Sequence, residues 1–171
     1  LRGIFNCGYE KPTLIQQQAL GQSIENKDLV VLSQSSTGKS ISIAISILQN
    51  IKDSEETFIQ AIVLSPTREL SQQFAASIKL LGEYITYLKV HAFVGGTSLK
   101  ADIKSISEGV NVVIGTPSRI LDMLNKQVLK VYCDKIKMFV IDDADEMYSR
   151  GFYDHINSIT NIITNCNESC Q

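Results

Sequence analysis

Two kinds of hydrophobic pattern alternate along the chain. Short apolar, β-branched runs predict buried strands at 29–32, 61–64, 90–94, 112–114 and 138–141. Longer segments with apolar residues at three- and four-residue spacing predict helices at 41–51, 69–88, 99–107, 118–124 and 153–163. Because the strands are too apolar for a sheet with one solvated face, the alternation predicts an α/β fold, with a mainly parallel sheet covered by helices on both faces.

Length and composition indicate one globular domain. The chain has 171 residues, 44% of them hydrophobic, and three prolines mark no linker. No run approaches the roughly 18 apolar residues of a membrane span, so we expect a cytosolic or nuclear protein without a membrane partner. The four cysteines show no C-x-x-C pair, which favours free thiols. A net charge of -2 requires any nucleic-acid surface to be local.

Polar residues follow each predicted strand. In parallel sheets, ligands bind beyond the carboxyl ends of the strands. The residues at these positions are the segments 33–40, 65–69, 95–96, 116–119 and 142–145. They are therefore the candidates for a functional site.

The first of these segments, S-Q-S-S-T-G-K-S, precedes an apolar helix and matches a P-loop in part, since Ser33 occupies the first glycine position. Backbone N–H groups at the helix start would hold phosphates, Lys39 would neutralise their charge, and the Ser40 hydroxyl would bind Mg²⁺. The alternative is a solvated Ser/Thr-rich turn that caps a helix.

The last segment, D-D-A-D, follows the strand predicted at 138–141. Asp142 is placed to coordinate Mg²⁺, and Asp143 to orient and deprotonate an attacking water. Aspartates are also favoured at helix N-termini, so a simple capping cluster is the alternative. The P-loop earlier in the chain favours the catalytic interpretation.

Taken together, these motifs resemble the DEAD-box RNA helicases. The resemblance runs from about Phe5 to the end of the chain. It is carried by the stretches F-N-C-G-Y-E-K-P-T-L-I-Q-Q-Q, P-T-R-E-L, V-G-G-T, G-T-P-S-R-I-L-D-M-L and V-I-D-D-A-D-E-M-Y-S-R-G-F. It implies a P-loop NTPase domain of RecA-like, three-layer α/β/α architecture that uses ATP and Mg²⁺. Within the family, helicases of translation initiation are most similar, and the relative in exon-junction complexes is the alternative.

The resemblance also implies residue roles. Gln16 would hydrogen-bond adenine and Tyr9 would stack on it, which favours ATP over GTP. The implied ATP site comprises Tyr9, Thr13, Gln16, Ser35, Ser36, Thr37, Gly38, Lys39 and Ser40, with Lys39 and Asp143 catalytic and Asp145 coupling motifs or domains. The implied RNA groove comprises Pro66, Thr67, Arg68, Gly95, Gly96, Thr116 and Arg119. These residue types suit contact with the sugar-phosphate backbone rather than with bases.

Three positions depart from the family pattern. Ser36 and Ser118 stand where the family has glycine, and Asp143 stands where it has the catalytic glutamate. A carboxylate withdrawn by roughly 1.5 Å, the length of one methylene, would activate water poorly. We therefore expect nucleotide binding with weak hydrolysis.

Three functions remain open on the sequence. The first is ATP-dependent RNA remodelling by a monomer. The second is a catalytically weak RNA- or scaffold-binding module that uses ATP as a conformational ligand, and the third is an unrelated P-loop kinase. For residues 1–171 we expect a single RecA-like domain that stops before its last strand. The expected partners are a second RecA-like domain outside residues 1–171 and a translation initiation scaffold.

Overall fold

The computed structural model describes residues 1–34, 37–53 and 58–171. The helices are α1 (Arg2–Asn6), α2 (Leu14–Ile24), α3 (Lys39–Asn50), α4 (Arg68–Leu81), α5 (Leu99–Ser107), α6 (Pro117–Asn125), α7 (Ala144–Ser149) and α8 (Tyr153–Cys166). The strands are β1 (Ala61–Leu64), β2 (Val90–Phe93), β3 (Val112–Gly115) and β4 (Met138–Ile141), and a 3₁₀-helix spans Lys130–Lys135. Among the described residues, no helix combines the length and hydrophobicity needed to cross a bilayer.

The four strands form one parallel sheet in the order β2-β3-β1-β4. The register aligns Leu64 with Gly115 on one side and with Ile141 on the other. The carboxyl ends of the strands therefore reach the same edge of the sheet. The segments that follow them in sequence all leave the sheet at this edge.

Side chains on the two faces of the sheet build two separate cores. Ile62 and Leu64 on β1 belong to a cluster with buried residues of α6 and α8. Ala61 and Val63, the alternate residues of the same strand, belong to a cluster with buried residues of α3 and α4. All four are at most 1% exposed. Helices thus cover both faces, which confirms the three-layer α/β/α architecture expected from the sequence.

The prediction of a strand at 29–32 is wrong. In the described part of the chain this segment has no strand partner, and the Val30 and Leu32 side chains are 89% and 90% exposed. On the outer edge of β4, the backbone of Gln171 accepts a hydrogen bond from Phe139 N (2.8 Å) and donates one to Lys137 O (2.9 Å). An apolar run becomes a strand only where a neighbouring backbone supplies its hydrogen bonds, and this segment has none.

Helix boundaries differ from the predictions at both ends of the chain. The helix predicted at 69–88 ends at Leu81, because Gly82 N closes the last turn on Ile78 O (2.9 Å) and the chain then turns toward β2. Helices α1 and α2 were not predicted. Helix α2 starts at a capping box in which Thr13 and Gln16 bond each other's backbone N–H groups.

Helix α1 packs so closely on the end of α4 that position 3 has no room for a side chain. A Cβ on Gly3 would overlap the carbonyl oxygen of Leu81. We expect Gly3→Ala to lower the free energy of unfolding by about 1–3 kcal/mol, because the two helices must separate. Urea denaturation measures this. Gly21→Ala is the matched control, since nothing lies within 4 Å of the added methyl group in α2; an equal loss there would contradict the explanation.

Candidate functional site

The P-loop segment leads directly into α3. Gly38 precedes the helix with φ 100°, and a Cβ there would lie 2.5 Å from Gln16 Nε2, so position 38 requires glycine. Thr37 Oγ1 lies 2.8 Å from both Ser33 Oγ and Gln34 O. Ser33, at the position of the missing first glycine, therefore contributes to the turn. Ser35 and Ser36 lie outside the described residues.

The Q-motif segment is attached to this loop. Thr13 Oγ1 donates to Thr37 O (3.1 Å), and the Gln16 side-chain amide donates to Gly38 O (3.5 Å). Gln16 Oε1 also accepts from Thr13 N (2.8 Å), and the residue is only 7% exposed. The predicted adenine-binding glutamine is thus fixed against the predicted phosphate loop.

The two aspartates at the end of β4 lie opposite the loop. Asp142 continues the pairing with β1, since its N–H donates to Leu64 O (3.0 Å). Asp143 follows in the left-handed region (φ 52°, ψ 52°) and occupies the N-cap position of α7 without a side-chain capping hydrogen bond. Its Oδ1 is 3.8 Å from Lys39 Nζ. The structure therefore brings the P-loop lysine and the D-D-A-D segment to one edge of the sheet.

Burial changes the acidity of Asp142. Desolvation, together with the negative charge of Asp143, raises its pKa to about 6, and the nearby Lys39 charge offsets part of this shift. Asp142 is 9% exposed, and within the described ranges it forms no ion pair. The ionised Asp142 carboxylate therefore lacks a directly contacting cation among the described residues.

A cleft of about 450 Å³ joins these groups. Eight of its lining residues belong to the predicted ATP site or catalytic pair: Tyr9, Thr13, Gln16, Thr37, Gly38, Lys39, Ser40 and Asp143. Asp142 is buried and is not among the residues that line the cleft. Lys11 and Ile41 also line it and were not predicted. The sequence offered one signal for each: Lys11 precedes Pro12 of the Q-motif segment, and Ile41 follows the last residue of the P-loop.

A second, wider groove of about 610 Å³ follows β1, β2 and β3 at the same edge of the sheet. Most of the residues predicted to contact RNA line it, namely Pro66, Thr67, Arg68, Gly95, Thr116 and Arg119. Gly96, the remaining one, is the exposed neighbour of Gly95. The structure thus gathers the predicted set from three separate loops.

Arg68 lies over the two glycines. A Cβ on Gly95 would be 3.1 Å from Arg68 Nη2, and one on Gly96, which has φ +92°, would be 2.9 Å from Nη1. The glycines therefore admit the guanidinium group against their backbone. Thr67 caps α4 by accepting from Leu70 N (3.1 Å), so its hydroxyl already has one partner.

The Arg119 guanidinium points away from open solvent. Its Nη2 is 2.6 Å from Asp102 Oδ2, and the Arg119 side chain is 13% exposed. Asp102 had no predicted role. The predicted contact of Arg119 with RNA stays a prediction.

Several residues of the groove were not predicted to bind RNA. Glu69, Ser118, Asp122, Arg150 and Phe152 complete its lining. Arg150 and Phe152 belong to the S-R-G-F stretch that contributed to the resemblance, so position in the motif was an available signal. Asp145 is exposed on α7 and lines neither the cleft nor the groove, and its coupling role stays a prediction.

Comparisons with known proteins agree on a family. The model for "DEAD/DEAH box helicase" matches residues 13–171. The chain is 48% identical over 163 residues to "Eukaryotic initiation factor 4A-9" of Nicotiana tabacum, covering 95% of this chain and 38% of that protein. It is 46% identical over 156 residues to "Eukaryotic initiation factor 4A" of Caenorhabditis elegans, covering 91% and 38%.

Solved structures show the same likeness. A DEAD box protein from the hyperthermophile Methanococcus jannaschii superposes with a TM-score of 0.90 at 34% identity, covering 99% of this chain and 45% of that one. An ATP-dependent RNA helicase from Sulfolobus tokodaii, described as hypothetical, gives 0.83 at 30% identity and covers 99% and 46%. The chain spans less than half the length of these relatives. It belongs to the DEAD/DEAH box helicase family.

Proposed function

We propose that this chain is the ATP-binding RecA-like domain of an ATP-dependent RNA helicase that remodels RNA. The observation that carries the proposal is the approach of Lys39 to Asp143, 3.8 Å apart, across a cleft that also contains the Q-motif residues. A triphosphate in this cleft would meet the amides at the start of α3 and the Lys39 charge. Gln16 and Tyr9 would face the adenine.

Magnesium fits the acidic end of β4. Asp142 is a buried carboxylate without an ion-pair partner among the described residues, and Ser40, at the start of α3, lines the cleft. No cluster of three His, Cys, Asp or Glu side chains occurs in the described chain. Mg²⁺ takes few protein ligands beside phosphate oxygens and water, and one carboxylate with a nearby hydroxyl suits that requirement. When bound, the ion would neutralise phosphate charge; Asp142 would hold it and Asp143 would orient the attacking water.

RNA would lie in the groove along Arg68, Gly95, Gly96 and Thr116. The exposed Arg68 supplies positive charge, and the glycines allow close approach of a backbone. Because no side chain there is placed as an evident reader of base edges, binding would show little sequence preference and would favour RNA through its 2′-hydroxyls.

The complete protein would require more than this domain. Relatives of this chain include initiation factors more than twice its length. We propose a second RecA-like domain as the partner that closes over both sites, a monomeric protein, and a cytoplasmic role in translation initiation with a scaffold protein. Residues 1–171 form one unit of that assembly.

A weakly hydrolysing module is the second candidate. Asp143 has a shorter side chain than glutamate, and its Oδ1 lies within 3.8 Å of the Lys39 ammonium rather than free in the cleft. Both features limit its use as a base. ATP would then act as a ligand that sets the conformation for RNA or scaffold binding.

Nucleotide titration tests the shared part of both candidates. We expect the chain to bind ATP with Mg²⁺ in calorimetry and to bind GTP more weakly, because Gln16 pairs with the adenine edge. Gln16→Ala should weaken ATP binding on the order of tenfold and narrow the difference between ATP and GTP. Gln22→Ala, an exposed glutamine on the same helix, is the control. Absence of ATP binding by the unaltered chain would reject the proposal.

A further inference from the structure

An ion pair between Arg119, which lines the RNA groove, and the buried Asp102 forms part of the groove wall. Arg119 Nε and Nη2 both donate to Asp102 Oδ2, at 3.1 and 2.6 Å. The two side chains are 13% and 2% exposed. A carboxylate this deeply buried depends on its partner, because removing one member of such a pair leaves an uncompensated charge.

The same pair ties together two loops of the groove. Arg119 Nη2 also donates to Thr97 O (3.1 Å), and Thr97 Oγ1 donates to Val94 O (2.8 Å) and lies within 3.4 Å of the Asp102 carboxylate. Arg119 itself stands in the first turn of α6, where its N–H donates to Thr116 O (3.0 Å). The loop after β2 and the loop after β3 are thus joined through Asp102.

The two arginines of the groove differ in their surroundings. Arg68 is exposed, and in the part of the chain that the structure describes it has no ion-pair partner. Arg119 is enclosed, and its charge is balanced by Asp102, with Asp122 Oδ2 a further 3.7 Å from Nη1. A phosphate that bound Arg119 would remove the cation that compensates the buried Asp102 carboxylate, and leaving that charge uncompensated is costly.

We infer that Asp102 and Arg119 are positioning residues, which hold the segments 95–97 and 116–119 in the shape that receives an RNA backbone, while Arg68 contacts phosphate directly. The inference rests on the proposed RNA groove and assigns different physical roles to its arginines. It also gives a role to Asp102.

Salt dependence of RNA binding separates the two roles. Each phosphate contact made by a protein cation contributes about 0.7 to the slope of log K against log salt for a single strand. With labelled single-stranded RNA, Arg68→Gln should weaken binding and lower the slope by about that amount. Asp102→Asn should weaken binding on the order of tenfold with the slope unchanged, because coupled networks carry effects of this size.

Two further variants control for charge and folding. The double variant Asp102→Asn/Arg119→Gln replaces the ion pair by a neutral pair, and its slope should also stay unchanged if Arg119 does not contact phosphate. Arg119→Lys keeps the charge but cannot reproduce the two-pronged hydrogen bond. Arg119→Lys should weaken RNA binding at an unchanged salt slope. It replaces Asp102→Asn as the test variant if urea denaturation shows that Asp102→Asn folds poorly.

Hydrogen exchange gives a readout that needs no RNA. Asp102→Asn and Arg119→Lys should both speed amide exchange in 95–97 and in 118–119, whereas Arg68→Gln, whose side chain packs on Gly95 and Gly96, should leave the amides of 118–119 as they are. The inference is overturned if Asp102→Asn binds RNA as tightly as the unaltered chain, if the double variant loses slope as Arg68→Gln does, or if exchange stays unchanged. An unaltered chain that binds no RNA would instead overturn the proposed RNA groove, and exchange would then decide the positioning role alone.

Discussion

Asp142→Asn is expected to stabilise the nucleotide-free chain at pH 7 while it removes magnesium-dependent nucleotide binding. Burial and Asp143 raise the pKa of this carboxyl to about 6, against 3.8 for the free side chain. The folded state therefore binds the proton more tightly than the unfolded state, so ionised Asp142 lowers stability above pH 6 and the penalty fades as pH falls toward 3.8. An amide of the same shape carries no such penalty.

The expected gain in the free energy of unfolding at pH 7 is about 2 kcal/mol, because each pKa unit corresponds to ~1.4 kcal/mol and local relaxation reduces the total. Urea denaturation at pH 7 and pH 5 measures it, and the gain should be smaller at pH 5. Asp134→Asn, at an exposed carboxylate, is the control. A loss of stability at pH 7 would show that neighbouring groups stabilise the ionised form.

The same substitution should abolish the response to magnesium. Mg²⁺ prefers anionic oxygen ligands, and an amide oxygen is a poor replacement. Calorimetry should give a decrease of about a hundredfold or more in affinity for ATP with Mg²⁺, and little change for ATP in EDTA. For the unaltered chain, affinity for ATP with Mg²⁺ should fall as pH drops below about 6, the pKa of Asp142. Equal affinities of the unaltered chain and of Asp142→Asn for ATP with Mg²⁺ would show that Asp142 does not bind the metal.

Asp143→Glu is expected to increase ATP hydrolysis by about tenfold to a hundredfold in a protein that carries both RecA-like domains. The added methylene moves the carboxylate by roughly 1.5 Å toward the cleft, and a misplacement near 1 Å can cost about a hundredfold in rate. RNA-stimulated phosphate release at saturating ATP measures the change. Asp154→Glu, on the exposed start of α8, should leave the rate as it is.

The gain in rate should be accompanied by a loss of stability. Asp143 occupies the left-handed region with φ 52°, which aspartate tolerates better than glutamate. We expect the free energy of unfolding of Asp143→Glu to fall by about 1 kcal/mol. Ser36→Gly provides a parallel test of the other departure in the cleft. If neither variant hydrolyses ATP faster, the two departures do not limit the reaction.

Local pattern was sufficient for most of the fold. Apolar runs identified β1 and β4 with their exact boundaries, and helical spacing identified α5 exactly, because these elements are buried on a regular period. The same rule failed at 29–32. There the run is equally apolar, but Val30 and Leu32 are exposed, since a strand also needs a partner backbone that the run itself does not encode.

The candidate site shows the same division. The D-D-A-D segment and the groove loops were predicted because ligands of a parallel sheet bind beyond the carboxyl ends of its strands, the P-loop was predicted from its own pattern, and Tyr9, Thr13 and Gln16 were implied by the family resemblance. The partners of those side chains were not found. Asp102 lies 17 residues from Arg119 and carries no motif, so only the tertiary structure shows that the two side chains meet.

The sequence by itself determined the four strands of the sheet, the helices α3, α4, α5, α6 and α8, the P-loop, the D-D-A-D segment and the family to which they belong, because these depend on residue type and spacing. Only the tertiary structure decided that Lys39 meets Asp143, that Asp142 is buried enough to shift its pKa, and that Arg119 is enclosed while Arg68 is exposed. Distances, burial and charge pairing arise between segments far apart in the chain, and no local pattern specifies them.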